Sequence, residues 1–86
     1  MENIELNRRA IAYLEQWDPF GYGCGSYETE AADTVAALQT IRDVKILAQK
    51  IQEIYEFSFE QWIPLQSCEE IATELIRIRH QTSCEL

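Results

Sequence analysis

Carboxylates flank the glycine-rich part of the chain, and metal binding there would depend on them. Asp18 precedes the glycines, and Glu28, Glu30 and Asp33 follow them. Carboxylate oxygens are the ligands that Ca²⁺ and Mg²⁺ prefer, but the spacing of these four residues matches no calcium-binding loop. The sequence therefore predicts no metal site at this position.

The single histidine and the three cysteines are the remaining candidates for metal ligation or nucleophilic chemistry. His80 and Cys84 would share one face of a helix, but two ligands do not complete a metal site. Cys24 stands before a predicted helix, where the pKa of a thiol can fall, although the neighbouring acids oppose that fall. No general base is paired with a nucleophile. We expect no catalytic residue, no cofactor and no bound metal.

Glycine occurs at alternate positions in Gly21-Tyr-Gly-Cys-Gly25, a spacing that superficially suits a phosphate-binding loop. Loops of that kind follow a strand and open a helix, whereas this one follows a predicted helix. No lysine closes the motif, and Asp18 and Glu28 give it the wrong sign of charge for an anion. The pattern therefore argues against a phosphate site.

The segment that contains these glycines is typical of a turn between two helices. Asp18, Pro19 and Gly21 occupy the first, second and fourth positions of a type I turn, and each residue suits its position. A rigid corner whose aromatic side chains cover the core accounts for most of the segment. Function also concentrates on ordered loops, so the alternative is a loop that presents Asp18, Tyr22 and Tyr27 beside the start of a helix.

Two amphipathic helices must position this corner. The first is predicted from about Asn3 to Trp17, and the second from Ser26 or Tyr27 to about Leu38. Ser26 is suited to cap the second helix through its hydroxyl group. The residues expected to face inward are Ile4, Ala10, Ile11, Leu14 and Trp17 in the first helix and Ala31, Val35 and Leu38 in the second.

A third helix is predicted after the second. Thr40 and Asp43 approximate the capping box that starts a helix, with aspartate in place of the usual glutamate. The helix is expected to continue to about Tyr55 or Phe57. Its inward stripe follows helical spacing and consists of Val44, Leu47, Ile51 and Ile54.

An aromatic-rich connection, Phe57–Leu65, leads to the fourth helix. A short helical turn is expected at Ser58, stopped by the proline of this connection. Ser67 and Glu70 form a capping box for the fourth helix, whose tail is expected to fray from about Gln81. Its inward residues are predicted to be Ile71, Leu75 and Ile78.

These four segments, with no strand alternation between them, predict an all-α fold in a single domain of 86 residues. The expected architecture is a small, largely antiparallel four-helix bundle. A glycine-rich corner joins the first two helices, and the aromatic-rich connection joins the last two.

The charge balance limits the partners of such a domain. Fifteen acidic residues against seven basic ones give a net charge of −8, and the basic residues form no continuous stripe. That field repels nucleic acids and anionic lipids, so we expect neither nucleic acid nor membrane as a partner, whereas a protein partner stays open. The chain has no signal-peptide pattern, no apolar run of about 20 residues and an odd number of cysteines. We therefore expect a cytoplasmic protein.

The corner Trp17-Asp18-Pro19-Phe20-Gly21, followed by Tyr27-Glu28 and by a helix that contains Asp33 and Val35, resembles the YugE-like family of small Bacillus-type proteins, a domain of unknown function. The resemblance extends over most of the chain, and the W-D-P-x-G corner is its most distinctive part. A similar corner also occurs in some small bacterial immunity-type proteins. The resemblance implies a helical fold and a bacterial cytosolic origin, and it supplies no activity.

The two aromatic-rich connections form the candidate working surface, because aromatic residues are the usual anchors of protein interfaces. The leading hypothesis is a non-enzymatic protein-interaction module of undetermined oligomeric state. The alternative is a small-ligand-binding protein or an enzyme that uses a pocket beside the Trp17–Tyr27 loop, with Asp18, Tyr22 and Glu28 as polar groups. The predicted binding residues are Trp17, Asp18, Tyr22, Tyr27, Glu28, Phe59 and Trp62.

Overall fold

A computed structural model of the chain describes residues 4–23 and 25–83, with backbone only at 82 and 83. Four helices make up the fold, and no strand occurs in the described ranges: α1 (Ile4–Trp17), α2 (Glu28–Leu38), α3 (Val44–Phe59) and α4 (Leu65–Ser83). Each helix packs on the next, and α4 packs back on α1. Because short links join helices that also pack together, neighbours run largely antiparallel. The predicted all-α four-helix bundle is confirmed.

One buried stripe from each helix forms the core. Each stripe contains a fully buried alanine, whose small side chain lets neighbouring helices approach closely: Ala10, Ala31, Ala48 and Ala72. Larger side chains fill the space around these alanines. They include Leu6, Leu14, Val35, Leu38, Leu47, Ile51, Ile71 and Leu75. Of the predicted inward residues in the last two helices, Val44, Ile54 and Ile78 are half-buried.

The inward face of α1 differs from the prediction at its first turn. Ile4 is 76% exposed, whereas Leu6 is buried. The buried stripe runs through Leu6, Ala10 and Leu14 at intervals of four residues, and Ile4 lies about 200° around the helix from Leu6. The prediction that Ile4 faces the core was therefore wrong, and Ile11 and Trp17 lie half-buried at the edge of the stripe.

Neither of the hydroxyls predicted to cap α2 and α3 does so. Tyr27, not Ser26, occupies the position before α2, and no side chain caps that helix. The Ser26 hydroxyl instead donates to the Tyr22 carbonyl oxygen at 3.0 Å, because Ser26 still belongs to the corner. Thr40 likewise belongs to the turn after α2, where its hydroxyl donates to the Ala37 carbonyl at 3.3 Å. Asp43 caps α3 by itself, accepting from the amides of residues 45 and 46.

The link between α3 and α4 is shorter than predicted. The third helix continues through Ser58 to Phe59, so the separate helical turn expected at Ser58 was wrong. Glu60 ends the helix with a left-handed φ of 57°. The fourth helix begins directly after Pro64, whose carbonyl accepts from the Cys68 amide at 3.2 Å, and it extends beyond Gln81 to Ser83. Ser67 therefore lies inside the first turn of α4 rather than before it.

Candidate functional site

The corner between α1 and α2 is organised by one carboxylate. Gly21 N donates to the Asp18 carbonyl at 3.2 Å, which closes the predicted turn. Asp18 itself has a φ of 41°, in the left-handed region that aspartate tolerates better than most residues. Its Oδ1 accepts from Tyr22 N at 2.8 Å and its Oδ2 from Gly23 N at 3.1 Å. Both oxygens of the carboxylate therefore accept hydrogen bonds from the backbone of their own loop.

A buried tyrosine completes this arrangement. The ring of Tyr27 is fully buried, and its hydroxyl donates to Asp18 Oδ1 at 2.5 Å. The same hydroxyl oxygen accepts from Phe20 N at 3.2 Å and from Tyr22 N at 3.4 Å. The Tyr27 hydroxyl thereby connects the start of α2 to the first part of the corner, residues 18–22.

The surroundings of Asp18 and Tyr27 move the pKa of each group further from neutral pH. The hydrogen bond from Tyr27, assisted by the loop amides, lowers the pKa of Asp18 below its usual value. Burial, and then the bond to Asp18, raises the pKa of Tyr27 above its usual value. Asp18 is therefore ionised and Tyr27 neutral over the physiological range, so neither group is suited to exchange protons there.

An aromatic cluster links this corner to the end of α3. It consists of Trp17, Phe20, Tyr22, Tyr27, Tyr55 and Phe59. Ring centroids lie 5.1 Å apart for Phe20 and Phe59, and 5.4 Å apart for Tyr27 and Phe59. Trp17 meets Tyr55 edge to face at 5.4 Å. The two aromatic-rich segments of the sequence therefore pack against each other at one end of the bundle.

Part of this end remains exposed. Tyr22 is 51% exposed, although its ring packs on Phe59 at 5.6 Å. Gln61 Nε2 donates to the Tyr22 hydroxyl at 2.8 Å, which joins residues 39 positions apart in the chain. Trp62, the next residue, is 64% exposed. We call Tyr22, Gln61 and Trp62 the end surface.

The link that carries Trp62 is attached to the rest of the fold on both sides of this residue. Gln61 bonds to Tyr22 on one side. On the other, Ile63 is buried, and its carbonyl accepts from Gln52 Nε2 of α3 at 2.7 Å. A ring whose neighbours are both held in place loses less conformational entropy when it binds.

The predicted site residues divide into two groups in the structure. Tyr22, Trp62 and Glu28 are exposed. The other four are buried or half-buried and contact one another or the core: Trp17, Asp18, Tyr27 and Phe59. Sequence reasoning missed Gln61, and no local pattern marks it.

Two other buried groups bear on the chemistry of this end. The Tyr55 hydroxyl is buried and has no hydrogen-bond partner among the described residues, and burial raises its pKa. Burial also raises the pKa of the Cys68 thiol to about 11, so the thiol is protonated at neutral pH and is a poor nucleophile. The spacing of Tyr55 four residues after Ile51 is the signal that places it on the inward face.

The structure also bears on the candidate metal ligands and cysteines. No three His, Cys, Asp or Glu side chains among residues 4–23 and 25–83 are grouped as ligands for a metal ion. The candidates Cys24 and Cys84 lie outside the described residues.

Three surface grooves follow the seams between helices, and none is lined by a residue of the Trp17–Tyr27 loop. No helix in the described part is both long and apolar enough to cross a membrane.

Residues 9–85 match the model of a family described as "Domain of unknown function (DUF1871)". The chain belongs to this family. It is similar to "Uncharacterized protein YugE" of Bacillus subtilis (strain 168), with 45% identity over 84 residues that make up 98% of each chain. It is also similar to the crystal structure of APC36109 from Bacillus stearothermophilus, with 37% identity and a TM-score of 0.89, over 92% of this chain and 98% of that one. The predicted resemblance is confirmed, and the solved structure shares the helical fold of this chain.

Proposed function

We propose that this protein is a non-enzymatic interaction module that binds a partner protein through the end surface. The observation that carries the proposal is the hydrogen bond between Gln61 and Tyr22, which holds two separate connections together beside two exposed aromatic rings. Aromatic side chains on a rigid support are typical anchors of protein interfaces. Glu28, exposed in the first turn of α2, is proposed to contribute negative charge to the interaction.

Several contacts favour this function over an enzyme or a small-ligand protein. Asp18, one of the polar groups that the alternative requires, is committed elsewhere, because it accepts bonds from its own loop and from Tyr27. The pKa of Asp18 is lowered and that of Tyr27 raised, the reverse of the convergence toward neutral pH that general acid–base catalysis favours. The seam grooves also lie away from this loop.

The same proposal includes a single domain, a cytoplasmic location and a protein, rather than nucleic acid, as the partner. The free, buried thiol of Cys68 supports a reducing compartment. The net charge of −8 supports a protein partner over nucleic acid.

The test is a comparative capture experiment in a lysate of the native host. The parent and three variants, Tyr22→Ala, Trp62→Ala and Ile4→Ala, serve as baits, and the captured proteins are quantified by mass spectrometry. Ile4 is the control, since it is a large exposed apolar residue on α1. We expect a protein that the parent and Ile4→Ala recover and that the other two variants lose. With that protein purified, Tyr22→Ala should weaken binding by more than about 2 kcal/mol.

Equal recovery by the parent, Tyr22→Ala and Trp62→Ala would refute the end surface as the binding site. Circular dichroism melting of each variant provides the folding control. Loss of binding in a variant whose melting temperature is unchanged separates an interface effect from a loss of stability.

A further inference from the structure

The outer face of α3 exposes a second aromatic residue. Phe57 is 86% exposed, more than the other large apolar residues that the structure leaves exposed. It lies about 180° around α3 from the buried Ala48 and about 200° from the buried Tyr55, so its ring does not pack in the core. Phe57 is not part of the end surface, and a role for its ring is therefore independent of that surface.

Phe57 stands at the edge of a groove of about 390 Å³ between α2 and α3. Ile54 adds a second apolar group to the groove wall. Apart from Ser58, the other lining residues are charged: Asp33 from α2, and Lys50, Glu53 and Glu56 from α3. We call this surface the acidic groove, because it carries three carboxylates and one ammonium group.

The carboxylates of the acidic groove are available to an outside cation. The ion pairs among the described residues involve Glu5 and Glu74, and none of them includes Asp33, Glu53 or Glu56. No described side chain donates a hydrogen bond to these three carboxylates either. Apolar surface bordered by three unpaired carboxylates is complementary to a segment that alternates apolar and cationic residues.

We propose that the acidic groove binds a cationic amphipathic helix of a partner protein. Apolar side chains of that helix would contact Ile54 and Phe57, and its lysines or arginines would face Asp33, Glu53 and Glu56. A seam between two helices is the surface on which helix-in-groove recognition operates. Lys50 and Phe57 are two helical turns apart, about 10 Å, so a partner segment of three to four turns covers the groove.

Charge favours a cationic helix over three other possible occupants of the acidic groove: a second copy of the chain, a nucleic acid and an anionic membrane. In a two-fold dimer the same patch meets itself, which would set the three carboxylates of one copy against those of the other at a cost in affinity. Nucleic acids and anionic membranes carry the same sign of charge as the groove. A cationic protein segment is the occupant that this charge favours.

The test uses the full chain labelled with ¹⁵N and three synthetic peptides of about four helical turns each. The first is an amphipathic peptide of leucine and lysine. The second replaces lysine by glutamate, and the third replaces leucine by serine. We expect the first peptide alone to shift the amide resonances of α2 and α3 around Asp33, Glu53 and Phe57 in a saturable way. No saturable shift up to about 1 mM peptide, or shifts spread over the whole acidic surface, would overturn the proposal.

Variants then test the apolar and the electrostatic contributions to peptide binding separately. Phe57→Ala should weaken binding of the leucine–lysine peptide at least about tenfold, while Ile4→Ala leaves it unchanged. Glu53→Gln combined with Glu56→Gln should weaken it and flatten its salt dependence, since the attraction is screened by ions. The matched control is Glu69→Gln combined with Glu70→Gln on α4, which removes the same charge elsewhere. Lys50→Gln should tighten binding about twofold by removing a like charge.

Two further outcomes would contradict the proposal that the acidic groove binds a cationic helix. If the control pair on α4 weakens binding as much as the pair on α3, the attraction is that of the whole acidic protein and the proposal fails. If sedimentation of the parent shows a dimer that Phe57→Ala abolishes, the occupant is a second copy. The peptide experiment does not involve Tyr22 or Trp62, so its failure leaves the end surface untouched.

Discussion

The Tyr27 hydroxyl lies 2.5 Å from Asp18 Oδ1, so a fully buried ring and a half-buried carboxylate nine residues apart share one hydrogen bond. The same hydroxyl also accepts from two backbone amides of the corner. The corner is therefore held by a side chain of the core rather than by its glycines alone. Substitutions in the corner and in the aromatic cluster below it test this arrangement.

Tyr27→Phe should destabilise the protein by about 1.5–3 kcal/mol, the range for a hydrogen bond to a charged group. The ring stays in the core, so the loss measures the hydroxyl. Urea unfolding followed by circular dichroism gives the free energy, and carboxyl NMR should show the pKa of Asp18 moving up toward its usual value. Tyr22→Phe is the control, because its hydroxyl bonds only to an exposed side chain. An unchanged Asp18 pKa in Tyr27→Phe would contradict the geometry of the corner.

The protein should lose stability in acid, because Asp18 becomes protonated there. Its pKa is lowered in the folded state, so its contribution is fully present above the unfolded pKa of about 3.9 and is lost as pH falls through the folded value. Chemical unfolding from pH 2 to pH 6 measures this dependence. The difference in stability between the parent and Asp18→Asn should grow as pH rises through this range and then level off. A difference that does not change with pH would show that the carboxylate charge plays no part.

Tyr55→Phe should stabilise the protein by about 1 kcal/mol, because it removes a buried hydroxyl that has no partner among the described residues. It should also reduce the loss of stability in alkali. The raised pKa of Tyr55 favours the neutral form in the folded state. That contribution is present below the unfolded pKa of about 10 and is lost as pH rises above it. Thermal melts at pH 7 and pH 10.5 test both effects, with Tyr22→Phe as a half-exposed control. Destabilisation at pH 7 would mean that the hydroxyl is satisfied.

The two tryptophans should respond differently to truncation. Trp17→Ala removes a half-buried ring that packs on Tyr55 and should cost about 3 kcal/mol, the low end of the range for a core tryptophan. Trp62→Ala removes an exposed ring and should change the stability by no more than about 0.5 kcal/mol. Urea unfolding measured by circular dichroism compares the two. A large loss in Trp62→Ala would place Trp62 in the fold rather than on a binding surface.

The helices and the corner could be predicted from local patterns. Apolar residues repeat at helical spacing in all four segments, and that spacing depends only on neighbours within a few turns. The turn at Asp18 was equally local, because each of its residues suits one position of the turn. Errors occurred where two local signals competed. Ser26 and Thr40 both suited a cap, but their hydroxyls bond to carbonyls of the preceding turn.

By itself, the sequence determined that four amphipathic helices form and that two aromatic-rich connections separate them. Only the tertiary structure decided which aromatic side chains remain available. Tyr22 and Tyr27 are five residues apart in one loop, yet one is half-exposed and the other fully buried. Their exposure depends on Phe59 and Gln61, which approach from the other connection. No spacing within the loop encodes that approach, because the packing of α2 on α3 creates it.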